Sequence, residues 1–413
     1  MLLGYVMLAT GLTGMTIRDA VIPIFKYVKS RKASVKTVNV NPLEQLTTGY
    51  TALFENLGIL DTSKGDWVQC SAFTRKKNYL LVKFKLSDTL SCEDFIKHKK
   101  KIEEKLLINY DGESYKNKIF IYNDKGLMHF RILNKKIELV PYEFRKTPKH
   151  LIPLGTDLDD NVVYWDLKKD PHIKIIGCTG SGKSRQQNII INHIYHNIPG
   201  APLWLMDFKE GIEFGAYEHT QNIASYADNL NDAPYVLQSI KEEYERRIKL
   251  IKESGQRCFD DYIAIKPNSK MKRGFLIIDE FADLMDLNDK KEGYDAIKEL
   301  IDLGRKLRAA GLHIVLGTQR PTADSIPSSM KNNITGTVGM KTENEFNSRL
   351  IIDDVGCELL EQSQAIGKLE SKYTFFRSFY IPDSVMEDTV NQFKKKDKAE
   401  VKASQKKPLK ILK

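Results

Sequence analysis

The chain has 413 residues, 41% hydrophobic and 29% charged, with 25 Gly and 14 Pro. That length and apolar content suit two or three packed domains and exclude fibrous, low-complexity and wholesale disordered architectures. The five cysteines (Cys70, Cys92, Cys178, Cys258 and Cys357) are odd in number, widely spaced and without a C-x-x-C pair. A disulfide framework and a zinc site are thereby excluded, and a reducing compartment fits. The net charge of +10 is unevenly placed: +4 over residues 1–32, +7 over 33–150, −8 over 151–393 and +7 over 394–413. The longest segment is acidic between basic flanks, so nucleic-acid contact there has to come from a few groups rather than from bulk charge.

Residues 2–17 are apolar or small, Arg18 and Asp19 interrupt them, and Lys26, Lys29, Arg31 and Lys32 follow. The stretch is shorter than the ~20 apolar residues of a full span, yet its basic flank follows the positive-inside rule. The reading is a membrane anchor over 1–32, against a buried or interfacial helix. One such stretch cannot carry a multi-span membrane protein. Weak periodicity marks 33–65 as a linker.

Residues 66–150 read as a small α+β domain. Strands are predicted over 79–86, 118–123, 128–133 and 136–140, and a helix over 91–108 with Ser91 as N-cap. From 151 the pattern changes. Short apolar runs at 173–176, 203–206, 275–278 and 313–317 alternate with helical patterns over 184–196, 234–253 and 293–310. Runs of this kind suit parallel strands buried on both faces, so the fold class is α/β with a parallel-rich central sheet. The expected motor domain covers 151–385, and a basic, disordered tail covers 386–413.

Gly177-Cys178-Thr179-Gly180-Ser181-Gly182-Lys183-Ser184 fits G-x-x-x-x-G-K-[ST] in full, between an apolar strand and a helix. Such a loop turns amide N–H groups toward phosphate oxygens at a helix N-terminus. Lys183 then reaches the β- and γ-phosphates of ATP, and Ser184 ligates Mg²⁺. The strand Phe275-Leu-Ile-Ile ends in Asp279-Glu280, 96 residues after Lys183. Asp279 can hold Mg²⁺ through its water shell, and Glu280 can polarise the attacking water. A third strand ends in Thr318-Gln319-Arg320-Pro321. Its Gln319 can contact the γ-phosphate or the lytic water, or be an ordinary hydrogen-bonded strand end. Arg305, Arg308, Arg320 and Arg349 are all open as arginine-finger candidates.

These motifs together resemble the FtsK/SpoIIIE family of DNA translocases. The resemblance rests on the P-loop stretch, on Ile278-Asp279-Glu280-Phe281-Ala282-Asp283-Leu284-Met285, and on Arg308-Ala-Ala-Gly-Leu-His313 with Gly317-Thr-Gln-Arg-Pro321. Leu154-Gly155 with Asp166-Leu167, the trio Asp207, Lys209 and Glu213, and Ser348-Arg349 with Ile352-Asp353 also match, so that about residues 150–370 are covered. The resemblance implies a bacterial RecA-like P-loop NTPase that hydrolyses ATP with Mg²⁺. It implies a ring, commonly a hexamer, around double-stranded DNA, with Arg308 acting in trans and Arg305 behind it. Lys331, Asn332 and Asn333 are candidates for the DNA-facing pore. The unit at 66–144 is similar, more loosely, to the small α domain preceding the family's motor.

Two departures stand out. After Leu359-Leu360 the family's Gly-x-Gly-Asp run is replaced by Gln362-Ser-Gln-Ala-Ile-Gly367. The stretch after the motor is expected to hold no sequence-reading winged-helix domain. The expectation is therefore a short motor of plasmids or integrative elements, serving conjugative transfer with relaxase or other transfer proteins at the cytoplasmic face of the membrane. If the N-terminal segment does not insert, the location is the cytoplasm. Two other readings are an FtsK-like ATPase powering protein secretion and a nucleotide-dependent module without turnover.

Overall fold

The computed structural model describes residues 42–105, 109–110, 113–114, 119–124, 126–133, 139–285, 296–320 and 328–395. The chain divides into two compact units, Met1–Glu138 and Leu139–Lys413. The expected boundary at 150 therefore moves forward. Val140 and Pro141 already pair with a strand of the second unit, and Tyr142 is buried there.

In the first unit, helix α1 (Pro42–Asn56) precedes strands β1 (Val68–Arg75) and β2 (Tyr79–Leu86). Helices α2 (Cys92–Lys97) and α3 (Lys99–Lys105) and strands β3 (Ile119–Asp124) and β4 (Leu127–Leu133) follow. The sheet order is β1-β2-β4-β3, antiparallel throughout. The core is aromatic. Phe54 meets Phe95 edge-on at 4.9 Å and Phe84 meets Phe130 at 5.2 Å, the orientation that ring quadrupoles favour.

Two expectations change here. The linker assigned to 33–65 contains α1, whose Leu46, Tyr50, Leu53 and Phe54 are buried. Thr47, Thr48 and Gly49 lower the helix propensity of this stretch, and packing overrides it. The helix expected over 91–108 breaks at His98. There the Asp94 carbonyl meets the His98 ring at 2.9 Å, while His98 N–H turns to Phe95.

The second unit is a three-layer α/β/α fold. Its strands are β5 (Leu151–Thr156), β6 (Val162–Asp166), β7 (Ile173–Ile176), β8 (Leu203–Met206), β9 (Ile223–Ala227), β10 (Gly274–Ile278), β11 (Leu312–Thr318), β12 (Gly336–Met340), β13 (Gln364–Leu369) and β14 (Lys372–Tyr380). They are ordered β9-β8-β10-β11-β7-β12-β13-β14-β5-β6. The six from β9 to β12 run parallel. From β13 onward the pairing in this order is antiparallel, while Val140 and Pro141 pair with β14 in parallel.

Alternation along each parallel strand feeds two cores. Phe275 and Ile277 face the core of helix α4 (Lys183–Asn197), with Ile190, Ile191 and Ile194. Leu276 and Ile278 face the core of helices α5 (Ala233–Glu253) and α8 (Ala296–Lys306), with Leu237, Ile240, Leu300 and Leu303. Between them in sequence lie α6 (Phe259–Ile265) and α7 (Phe281–Met285), and α9 (Ser328–Asn333), α10 (Glu345–Ile352) and α11 (Asp383–Phe393) complete the unit.

The expected disordered tail begins too early at 386. Residues 386–393 continue α11, where the buried Thr389 accepts a hydrogen bond from Asn192 at 2.6 Å. The anchor assigned to 1–32 and the tail beyond 395 lie outside the described residues. Among the described residues no helix is long and apolar enough to cross a membrane.

Candidate nucleotide site

Parallel strands bring their carboxyl ends to one edge of the sheet. One strand, β11, separates the P-loop strand β7 from β10, which ends at Asp279 and Glu280. Register places Ile176 opposite Thr318 and Ile278 opposite Leu316, so β10 ends two residues short of the other two strands and Asp279 and Glu280 continue toward their level. Gln319 thus falls between the P-loop and the acids. The approach is close: any Cβ at Gly317 would run into the Asp279 carbonyl.

Residues 177–184 form the expected loop. Gly180 and Gly182 take left-handed φ of 75° and 107°, a region open to glycine. A Cβ at Gly177 would lie 2.6 Å from Ser181 Oγ. That hydroxyl is buried with no hydrogen-bond partner. Cys178 N–H donates to Lys341 O at 2.8 Å and ties the loop to the end of β12. The helix begins at Lys183 with Gly182 as its cap residue, and no side chain caps it. Ser184 lies in its first turn and is half-buried. An uncapped helix start, a tight glycine cradle and an orphaned hydroxyl are the features of a loop shaped for an anion.

Lys183 is buried and donates to both the main-chain oxygen and the carboxylate of Asp279, at 2.6 and 2.5 Å. Lys209 donates to the other carboxylate oxygen at 2.7 Å. Burial alone would raise the Asp279 carboxyl. The two ammonium groups outweigh it and hold the group below the usual carboxylate range. Burial likewise disfavours the charged form of Lys209, and Asp279 reverses that effect, so its ammonium is held above the usual range.

Glu280 is 4% exposed. Its Oε1 accepts from the Thr318 hydroxyl at 2.5 Å and from Gln319 N–H at 3.0 Å, and its Oε2 accepts from the same N–H at 2.9 Å. The Gln319 side chain turns the other way, its Oε1 accepting from the Thr179 hydroxyl at 2.7 Å. One residue thus joins the acid to the P-loop.

Arg308 is not part of this constellation. It precedes β11, at the opposite edge of the sheet, where it is exposed and donates to Lys168 O at 3.2 Å. The seven residues of β11 span about 23 Å. Arg305 and Arg349 are exposed on α8 and α10, and Arg320 is exposed just past Gln319. Of the candidate pore residues, Asn333 donates its amide to Ile301 O at 3.3 Å and Asn332 is exposed. The side chain of Lys331 lies outside the described residues.

Two features escaped the sequence reading. Lys209 and Asp207 were matched to a motif without being counted in the site. In the sequence the departure at 362–367 bears on a local turn and not on the ATPase core. Instead Ser363, at φ 62°, donates its N–H to Ser181 O at 2.9 Å and supports the P-loop from below. A polar residue after an apolar run was the available signal for Asp207. Nothing in the sequence signalled Ser363.

For Mg²⁺ the donors fit. Among the described residues no group of three or more His, Cys, Asp or Glu could hold a metal. A site made of one hydroxyl, one carboxylate and nucleotide oxygens is what Mg²⁺ ordinarily accepts. Ser184 and Asp279 are the residues that would supply that pair.

The sequence profile of the FtsK/SpoIIIE family matches residues 140–276. The chain is 31% identical over 299 residues to the DNA translocase FtsK of Lactiplantibacillus plantarum, covering 67% of this chain and 37% of that protein. It is 35% identical over 215 residues to the DNA translocase SftA of Bacillus subtilis, covering 50% of this chain and 22% of that protein. The chain therefore spans well under half the length of these relatives. Its fold is similar to that of the pCW3 conjugation coupling protein TcpA, solved as a monomer with ATPγS. That likeness has a TM-score of 0.58 and 23% identity, over 83% of this chain and 98% of the other. It is also similar to the cytoplasmic domain of the type VII secretion ATPase EccC of Thermomonospora curvata. There the TM-score is 0.53 with 21% identity, over 62% of this chain and 32% of the other.

Proposed function

The chain belongs to the FtsK/SpoIIIE family of ATP-hydrolysing motors, and from that premise we propose that it moves double-stranded DNA during conjugative transfer of a plasmid or integrative element. The observation that carries the reading is the meeting of Lys183, Asp279, Glu280 and Gln319 at one edge of three adjacent strands.

In this reading the amides of residues 177–182 and Lys183 cradle the phosphates of ATP. Ser184 and Asp279 would hold Mg²⁺, which would supply positive charge against the phosphate oxygens. Lys183 exchanges Asp279 for phosphate on binding. Glu280, oriented by Thr318 and the Gln319 N–H, keeps lone pairs free to take a proton from the attacking water. Gln319 couples that base to the P-loop through Thr179. Arg308 cannot reach its own subunit's site from the far edge, so it completes the site of a neighbour. This requires a neighbouring subunit, and we take the assembly as a hexameric ring around DNA. Its place is the cytoplasmic face of a bacterial membrane, with transfer proteins such as a relaxase as partners.

The relatives named as DNA translocases support the DNA reading. The fold likeness to a secretion ATPase keeps protein export as the alternative. ATP hydrolysis measured alone, with duplex DNA, with single-stranded DNA and with a candidate exported protein separates them. Stimulation by duplex DNA, falling steeply between low and moderate salt as phosphate contacts are screened, is expected. Stimulation by protein with no response to either DNA would replace the proposal with the export reading.

A further inference from the structure

Asp279 is fully buried, and each of its carboxylate oxygens carries its own ammonium partner, Lys183 on Oδ1 and Lys209 on Oδ2. Lys183 alone would neutralise the carboxylate, so a second cation needs a reason. The loop that presents it is firmly built. Asp207, fully buried at the end of β8, accepts from Glu213 N–H at 2.8 Å and Phe214 N–H at 2.7 Å. Between these anchors the chain turns through left-handed Glu210 and Gly211, at φ 56° and 77°. A Cβ at Gly211 would lie 2.7 Å from the Tyr226 hydroxyl, so the turn has little room to shift. Lys209 therefore leaves an anchored loop and crosses to the neighbouring strand end with its head on Asp279.

The reason lies in what happens when Lys183 is drawn to a phosphate. With no second cation, that movement would strand an unpaired charge on a buried carboxylate, one of the costlier events inside a protein. Lys209 stays in place and prevents it. We infer that Lys209 is a positioning residue that keeps Asp279 paired while Lys183 is exchanged between Asp279 and the nucleotide, and that Asp207 holds Lys209 in place. The inference rests on the P-loop reading and deepens it. Lys209 acts through Asp279, not on the phosphate. Its effect is largest without Mg²⁺, because a metal at Asp279 would supply the same compensation.

The test is equilibrium titration of the full chain with a fluorescent ADP analogue in EDTA. Lys209→Met is expected to weaken binding roughly 10- to 100-fold, the worth of a hydrogen bond to a charged group, and Lys209→Arg to restore it. In an Asp279→Asn background, Lys209→Met should change affinity by no more than about twofold, since the carboxylate it serves is gone. Wild-type affinity in Lys209→Met overturns the inference. A loss that persists undiminished in the Asp279→Asn background also overturns it, because Lys209 would then touch the phosphate itself. If thermal melting shows Asp279→Asn to be unfolded, the Met and Arg variants decide: equal losses overturn the inference, and rescue by Arg supports it. Lys183→Met is the control for the premise. Full affinity there would sink the P-loop reading as a whole, whereas an unchanged Lys209→Met beside a defective Lys183→Met sinks this inference alone.

Discussion

At the carboxyl edge of the parallel strands, polar groups face one another with capacity to spare. At the amino edge of the same strands most of them are bonded to one another, the buried His172 Nε2 excepted. The carboxyl edge holds the unpartnered Ser181 hydroxyl and the Lys183–Asp279–Lys209 pair of contacts. The amino edge holds buried His172, which accepts from Ile314 N–H at 2.9 Å. Beside it, His313 spans Pro171 O and Arg273, and Arg273 is bonded to Asp260. Arg247, also buried, is held by Glu243 and Ala310 O. Burial pushes His172 down to about 4 and His313 well below its ordinary value, which keeps both neutral. Burial lowers the Arg247 and Arg273 guanidinium groups as well. The contrast teaches that burial of polar groups does not by itself mark a site. What distinguishes the functional edge is that its groups can exchange partners.

The contrast is sharpest at Arg308, an amino-edge residue with a proposed role at a neighbour's carboxyl edge. Arg308→Ala should cut ATP hydrolysis by roughly 10³-fold or more if it acts as a trans finger. Mixing it with an equal amount of Lys183→Ala should recover activity, because hybrid interfaces pair an intact P-loop with an intact Arg308. No recovery on mixing would place the arginine's effect within its own subunit.

Glu280→Gln breaks the carboxyl edge without removing its hydrogen-bonding shape. Hydrolysis should fall by about 10²- to 10⁴-fold, the range for losing a general base. Nucleotide binding, read by fluorescence titration, should stay near wild type. A comparable loss of binding would make Glu280 a structural acid.

The smallest effect belongs to the amino edge. His172 is held near 4 when folded and titrates near 6.5 when unfolded. The unfolded chain therefore takes up the proton first, and stability falls as pH drops below about 6.5 toward 4. At pH 5 the loss is about 2 kcal/mol from this group. His172→Asn, which retains an acceptor for Ile314 N–H, should flatten the pH dependence of chemical unfolding by about that amount. An unchanged slope would assign the pH dependence to other groups.

How much of this was legible in the sequence differs between the same regions. The apolar runs that became β7, β8, β10 and β11 end in residues too polar for a core, and that ending marks the edge where chemistry collects. Residues 177–184 run from β7 into α4, where the motif predicts a loop opening a helix. The carboxyl-edge contacts beyond the motif were not legible. Lys209 meets Asp279 across 70 residues, and Ser363 meets Ser181 only because an antiparallel strand is added beyond β12. Such contacts come from sheet order, which local pattern does not encode. In the first unit, α1 was missed because Thr47, Thr48 and Gly49 dilute an otherwise helical spacing. At the break the His98 ring meets the Asp94 carbonyl and the His98 N–H turns to Phe95, contacts that apolar spacing does not show.

The most direct measurement is steady-state ATP hydrolysis by the wild-type chain and by Lys183→Ala, each with and without duplex DNA. Removing Lys183 takes the phosphate-binding cation from the carboxyl edge, and the account predicts hydrolysis by the wild type, stimulated by DNA, and a loss of about 10²-fold or more in the variant. A Lys183→Ala protein that hydrolyses ATP at the wild-type rate would contradict it.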